Sequence, residues 1–303
     1  MAASERSQEW RAGRPGSPVM HEVAERIGEV EALDAPAEKI AGPVSRRLGR
    51  GRFGDLLAGT WLGHALHPFF TDLPIGSWTS ATLLDLFGGP DSDAASDRLV
   101  AFGIAASLPT AVTGLTDWAD TTRSNAHVRR IGLVHALANT VGLGLFAASL
   151  AARRRGNRSR GKALGLAGMG ALTVGGHLGA HLSYSKGVGV DQTAFERGPS
   201  EWTVALADAA LGEGEAKAVD VEGVSVLVTR QDGRVFALSS RCSHRGGPLE
   251  RGEIANGCVT CPWHGSVFRL EDGSVQRGPS AYPQPVFDVR IRDGSIEVRA
   301  SQP

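Results

Sequence analysis

Three stretches of the chain are free of charged residues: Leu99 to Thr116, Ile131 to Ala152 and Ala163 to Ser185. As helices the longer two, 22 and 23 residues, reach about 33 Å, enough to cross the roughly 30 Å hydrocarbon core of a bilayer. Upstream, "LLAGTWLGHALHPFFTDLPIGSWTSATLLDLFGG" is apolar but interrupted by Pro68, Asp72, Pro74 and Asp85. This predicts a re-entrant or interfacial piece from Trp61 to Phe70, then a helix from about Leu73 to Phe87. Short polar loops, "GPDSDAASDR", "DWADTTRSNAHVRR" and "RRRGNRSRGK", separate the runs and predict an up-and-down bundle of four spans with both termini on one side. Ahead of it, Val23, Ile27 and Val30 recur at helical spacing, the pattern of a solvated helix or of one lying at the membrane interface.

After Lys186 the period changes to two. Val224, Val226 and Val228 alternate before "QDGR" and "VFALSS"; later Phe287, Val289 and Ile291 alternate with Asp288, Arg290 and Arg292, turn at Asp293-Gly294 and resume with Ile296 and Val298. These are antiparallel hairpins. The chain therefore divides into an N-terminal segment, 1–52, flexible and partly helical; a four-helix membrane bundle, 53–186; a linker, 187–200; and a small all-β domain of antiparallel sheets, 201–303.

Lysine plus arginine equals aspartate plus glutamate at 32 each, so no charge excess points to nucleic acid. The first twenty residues lack the apolar core of a secretion signal. Arginines scarcely orient the bundle: Arg46, Arg47, Arg50, Arg52, Arg123, Arg129 and Arg130 fall on the side of the termini, and Arg98, Arg153, Arg154, Arg155, Arg158, Arg160 and Lys162 on the other.

All three cysteines lie in "RCSHRGGPLERGEIANGCVTCPWHGSVF". Cys242-x-His244 and Cys261-x-x-His264, 16 residues apart, offer two thiols and two imidazoles from two short loops. Zinc accepts the same four ligands. A zinc finger, however, groups its cysteines together and its histidines together, whereas here each loop carries one of each, a pattern that suits a [2Fe-2S] centre with two thiolates on one iron and two imidazoles on the other.

At these residues the sequence "CSHRGGPLERG...CPWHGSVFRLEDGSVQRGPSAYPQP" resembles a Rieske domain of the ferredoxin or oxygenase-component kind. The resemblance implies Cys242 and Cys261 on the inner iron and His244 and His264 on the outer one, facing a redox partner. Pro262, Gly265 and Gly278-Pro279 match the loops that fold over the cluster. Rieske proteins of quinol-oxidising complexes add a disulfide between the loops; Gly247 and Trp263 stand at those places. Phe268 replaces their tyrosine near a ligand sulfur, and Ser266 keeps the other hydroxyl. Fewer hydrogen bonds to sulfur imply a potential in the lower part of the Rieske range of about −150 to +300 mV. The missing disulfide also suits a reducing compartment, which places the domain on the cytoplasmic face of an inner membrane. Cys258 reads as a small core residue.

The apolar region, "GHALHPFFTDLPIGSW...VTGLTDW...HALAN...GGHLGAHLSYSKGVGVD", resembles a bacterial four-helix membrane family, domain of unknown function 2231, which implies membrane residence and no activity. In the four-span arrangement His135 and His181 lie about 7 Å below the surface of the termini. His64 and His67 precede span one, and His177 is one turn deeper than His181. Either these are histidines partnered by hydroxyls or by Asp72 and Asp117, or they form a second site: haem b held by His135 and His181, or a quinone or metal pocket including His67.

No phosphate loop, dinucleotide fingerprint or nucleophile triad is present, so electrons have to come from another protein or a membrane carrier such as a quinone. Whether the chain performs bond chemistry of its own is left open: an electron-transfer protein, a redox sensor and a catalytic oxidoreductase all fit these residues.

Overall fold

The computed structural model describes residues 19–49, 51–121 and 125–301. Residues 1–18 of the N-terminal segment expected to be flexible and partly helical, 1–52, and Arg50 and Arg123 of the charge tally lie outside the described residues. The first half is helical: α1 (Val19–Glu29), α2 (Asp34–Arg47), α3 (Gly51–Ala58), α4 (Leu66–Phe87), α5 (Asp93–Thr121), α6 (Ala126–Arg154) and α7 (Arg158–Ala180), which continues as a π-helical turn, His181–Ser185. Asn125 and Asn157 cap α6 and α7, each side chain accepting the backbone N–H three residues on.

Among the described residues these seven helices correct the four expected from hydropathy. Among the described residues, three helical stretches are long and apolar enough to cross a membrane: Pro90–Ala119, Ala126–Arg154 and Arg158–Ser185. The interfacial piece expected at Trp61 to Phe70 is a 3-10 turn (Thr60–Leu62) followed by the start of α4, which begins at Leu66 rather than Leu73. Pro68 lies in the first turn of α4, where a missing N–H costs nothing. Pro74 lies deeper, and the carbonyl of Phe70 that it cannot serve accepts the Thr110 hydroxyl instead at 3.0 Å. His67 therefore sits within α4, not ahead of it.

Helices α4–α5 and α6–α7 form two hairpins with the same internal contacts. His67 Nδ1 lies 3.0 Å from the Thr110 carbonyl, and a Cβ on Gly114 would strike its ring. His135 Nδ1 lies 2.7 Å from the Gly175 carbonyl, and a Cβ on Gly179 would strike that ring. Eleven residues further along each first helix, Trp78 packs on Gly103 and Phe146 on Gly168. Between hairpins the equivalent residues meet: Trp78 and Phe146 stack at 4.2 Å and 8°. At the far end Arg153 ion-pairs with Asp85. Positions on α4 and α6 correspond at an offset of 68, and those on α5 and α7 at 65, so the bundle is a pseudo-twofold repeat whose axis runs along the helices. The Arg153 guanidinium is fully engaged: Nη1 is 2.9 Å from Asp85 Oδ1 and from Ser96 Oγ and 3.1 Å from Asp97, Nη2 reaches Asp85 Oδ2, and Nε is 3.1 Å from Ser149 Oγ.

The N-terminal helix is docked on the bundle. It buries Ala24 and Gly28 against α6, while Val23 and Val30, two of the three residues that predicted its apolar face, are exposed. A Cβ on Gly28 would overlap the His127 ring, so only glycine permits this approach. Asp34, at the start of α2, accepts from Arg129 at 2.7 Å and from Arg130 at 2.9 and 2.6 Å. These bonds, from Arg130 first, hold its carboxyl well below the usual aspartate value.

The second half is all β. A six-stranded antiparallel sheet has the order β1-β10-β9-β4-β3-β2, built from β1 (Thr203–Ala207), β2 (Ala216–Val221), β3 (Val224–Gln231), β4 (Arg234–Ser239), β9 (Val286–Arg292) and β10 (Ser295–Ala300). A smaller one has the order β5-β6-β7-β8, from β5 (Glu253–Ala255), β6 (Cys258–Thr260), β7 (Val267–Arg269) and β8 (Val275–Arg277). Asp232-Gly233 and Asp293-Gly294 make tight turns with both φ positive, as their sequence predicts. The alternation along β3 sorts two cores: Val226 and Val228 pack with Ile296 and Val298, while Leu227 packs on the other face with Phe268 and Leu249.

The segment 187–200 has neither helix nor strand but is bonded along its length. Gln192 N–H donates to the Ser243 carbonyl at 2.9 Å, Ser239 Oγ donates to Glu196 at 2.5 Å, and Ala300 N–H to Pro199 at 2.8 Å. Helical and β halves also touch directly. Gly278 N–H donates to Asp55 of α3 at 2.9 Å, and Thr60 Oγ1 to the Ser280 carbonyl at 3.2 Å. The rings of His64 and Tyr282 meet edge to face at 6.3 Å.

Candidate iron–sulfur site

Two loops present the four residues. The first, residues 240–248, leaves β4 and carries Cys242 and His244; the second, 261–266, joins β6 to β7 and carries Cys261 and His264. Their backbones are alike. Cys242 N–H donates to the Gly247 carbonyl at 2.9 Å and Gly246 N–H to the Cys242 carbonyl at 2.7 Å; Cys261 N–H donates to Ser266 at 2.8 Å and Gly265 N–H to Cys261 at 3.0 Å. Gly246 and Gly265 occupy the matching corners with φ of 71° and 81°, where a side chain is strained.

The sulfurs of Cys242 and Cys261 come together at the base, both buried, and hydrogen-bond to each other. That shared proton raises the Cys242 thiol and lowers the Cys261 thiol, which also receives the N–H groups of Trp263 and His264; those of His244 and Arg245 serve Cys242. Above the sulfurs the rings of His244 and His264 stand 5.1 Å apart at 86°. Burial, then the charges of Arg245 and His264, pushes His244 well below the ordinary histidine value and keeps it neutral. Its Nδ1 is buried without a hydrogen-bond partner. An orphaned imidazole nitrogen beside two amide-solvated thiols is the donor set that a metal centre requires, so these residues fit one.

The surrounding residues close the loops together. A Cβ on Gly247 would lie 2.8 Å from Cys261 Sγ and 3.1 Å from Trp263, so the two positions where a disulfide is replaced do face each other. None of the three cysteines forms a disulfide, and Cys258 opens β6. Pro262 and Trp263 are exposed beside His264, with Trp263 44% accessible. Phe268 is fully buried in the core beneath. Ser266 is buried, its hydroxyl accepting Ser280 N–H at 3.0 Å.

Sequence reasoning missed a clamp from the segment 278–285 between β8 and β9. Buried Gln284 accepts Ser243 N–H at 3.0 Å and donates to the carbonyls of Ser239 at 2.8 Å and Arg241 at 2.7 Å. Buried Ser280 meets Ser243 Oγ at 2.9 Å. A glutamine between two prolines, Pro283 and Pro285, was the available signal: a polar side chain on a stiff segment with no other reason to be there.

This pair of loops on small antiparallel sheets defines a histidine- and cysteine-bearing iron–sulfur fold. The chain belongs to the Rieske [2Fe-2S] family, matched over residues 201–288, and its residues 63–192 match the family described as predicted membrane protein (DUF2231). A Rieske domain binds a [2Fe-2S] cluster. Among curated relatives, apoptosis-inducing factor 3 of Mus musculus is 33% identical over 92 residues, 30% of this chain and 15% of that protein. The anthranilate 1,2-dioxygenase ferredoxin subunit of Burkholderia cepacia is 34% identical over 73 residues, 24% of this chain and 68% of the relative. Of solved structures, the ferredoxin of carbazole 1,9a-dioxygenase from Nocardioides aromaticivorans IC177 aligns at TM-score 0.32 and 28% identity, covering 34% of this chain and all of that one. The chain thus spans only 15% of the first of these relatives.

The membrane-region histidines separate. His135 bonds to Gly175, whereas His181 sits beside Glu25 of α1, with His177 Nε2 nearby at 3.2 Å from the Met20 carbonyl. His135 and His181 thus have different partners, and those of His67 are the Thr110 carbonyl and the Thr113 hydroxyl rather than Asp72 or Asp117.

Proposed function

We propose that the chain is a membrane-bound electron-transfer protein in which Cys242 and Cys261 hold one iron and His244 and His264 the other. The convergence of two thiols and two imidazoles on a pair of matched loops carries this reading. The cluster supplies reversible storage of one electron. The residues do the rest: amides of both loops stabilise the thiolates, neutral His244 offers its buried nitrogen, and exposed Pro262 and Trp263 form a rim on which a redox partner docks. Relatives that serve as ferredoxin subunits of dioxygenases favour an oxygenase-type or similar protein partner, with a membrane carrier as the other terminus.

The membrane reading takes α4 as a fourth span. α4 is the repeat-mate of α6, which is apolar enough to cross, and bare apolar side chains ring the bundle: Phe69, Leu83 and Phe87 on α4, Phe102 and Leu108 on α5, Leu137 on α6, Leu166 on α7. On this reading residues 53–186 lie in the membrane and 201–303 outside it, with 187–200 as a bonded strap. The absence of a loop disulfide favours the cytoplasmic face.

The test is low-temperature EPR of the reduced full-length protein extracted from membranes. The rhombic, low-average-g signal of a histidine-ligated cluster is the expected result, and His264→Cys moves it toward the all-cysteine form. An unchanged spectrum in His264→Cys overturns the ligand assignment; release of the chain by alkaline carbonate overturns the membrane reading.

A further inference from the structure

A second constellation of metal-ligating groups lies outside the cluster loops. His21 and Glu25 stand one turn apart on α1 and face His181, in the π-helical turn that ends α7, and His127, in the first turn of α6. From Glu25, the Nε2 atoms of His181, His127 and His21 are 2.9, 3.6 and 3.8 Å away. One ligand atom each from His21, Glu25 and His181 falls within 4.8 Å of the other two. A tetrahedral zinc ion with bonds of about 2.0–2.1 Å separates its ligand atoms by about 3.4 Å, inside the range observed here.

Two further observations point to a ligand. His181 is 5% exposed, and although its Nε2 is 2.9 Å from a carboxylate oxygen it makes no hydrogen bond there, so the contact lacks the alignment of an ordinary ion pair. The backbone widens to a π turn at this residue, with Lys186 N–H reaching the His181 carbonyl at 3.2 Å. Such turns reposition a side chain at a cost that regular helix avoids, and they recur at functional sites.

We propose that His21, Glu25 and His181, with His127 as fourth ligand, bind a divalent transition-metal ion of the zinc type. The ion joins three elements at the point where the chain leaves the bundle, fixing α1 and the start of the strap that leads to the iron–sulfur loops. Lys186 is the counter-ion of the metal-free state. Its ammonium lies 2.7 and 2.8 Å from the two Glu25 oxygens and swings away when a dication takes its place. The site is independent of the ligand assignment at the cluster.

The test uses the cluster-loaded full-length chain in detergent, equilibrated with Zn2+, passed over a weak chelating resin and analysed for zinc and iron together, with affinity from competition against a chromophoric chelator. The expected result is one zinc per chain beyond the cluster iron. Affinity falls at least tenfold in His21→Ala and in Glu25→Gln with iron unchanged, and rises in Lys186→Met. His21 lies on the half-exposed face of α1, so its loss leaves the fold intact; retained iron and helical circular dichroism verify this. No zinc retained by the wild type overturns the proposal. So does zinc binding that persists unaltered in both His21→Ala and Glu25→Gln, or that appears only as iron is lost and therefore belongs to the emptied cluster loops.

Discussion

Removing the Arg153 guanidinium should cost the helical bundle far more than removing the whole ion pair. Arg153 and Asp85 side chains are 1% and 7% exposed, and the arginine contacts Asp85, Ser96, Asp97 and Ser149. Deleting one partner of a buried pair costs about 3–5 kcal/mol, because the other charge is left without its match. Here Arg158 remains 3.3 Å from Asp85, and Lys162 donates to its carbonyl at 2.9 Å. These neighbours put Arg153→Met at the low end, about 3 kcal/mol, which is roughly a hundredfold in the folding equilibrium. The double variant Asp85→Leu/Arg153→Met, with apolar groups of similar volume, should come within about 1 kcal/mol of wild type. Unfolding by SDS in mixed micelles, followed by far-UV circular dichroism, measures all three proteins. If the single variant loses less than about 1 kcal/mol, or the double variant loses as much as the single, the pair is not a buried, mutually dependent unit and the reasoning fails.

Other predictions concern the β half and the N-terminal helices. Gly247→Ala places a methyl against Cys261 Sγ and Trp263; it should lower iron content and the EPR signal strongly, whereas Gly257→Ala, where a Cβ meets nothing within 4 Å, should cost backbone strain alone and keep the cluster. Gln284→Ala leaves an amide and two carbonyls buried beside the first cluster loop; thermal melting of the cluster's visible absorbance should show a loss of about 2–4 kcal/mol. Asp34 has its carboxyl held down by Arg130 and Arg129, so its contribution is complete above the ordinary aspartate value near 4 and is lost as pH falls from there toward the lower folded value. Limited proteolysis should accordingly release α1 and α2 in acid, and Asp34→Asn should do so already at pH 7.

The cluster loops and hairpins were legible because each is decided locally. Two cysteine–histidine loops and two Asp-Gly turns announce themselves in their own few residues, whereas the clamp of Gln284 on the first loop, 41 residues away from Ser243, does not. The helical half was harder to read where a distant residue decides. Pro74 reads as a break until Thr110 is seen to serve the carbonyl it abandons. α1 docks through Ala24 and Gly28 because His127 needs the space, while apolar Val23 stays exposed; hydrophobic periodicity weighs side chains and cannot see a requirement for the lack of one. His135 and His181, equally deep by counting, point to different neighbours, since α1 supplies Glu25 to one of them alone. Internal symmetry also went unread, for of the axial pairs only His67 and His135 are the same residue.

That difference between the halves restricts how such hairpins can assemble. Two unaltered copies of the first would bring Asp85 against Asp85 across the axis, and two copies of the second would set Arg153 against Arg153, each burying like charges against one another. Only one of each neutralises the contact. The charge pair therefore discriminates between kinds of hairpin: a first hairpin is matched to a second and mismatched to another first, so that pairing of like halves is disfavoured.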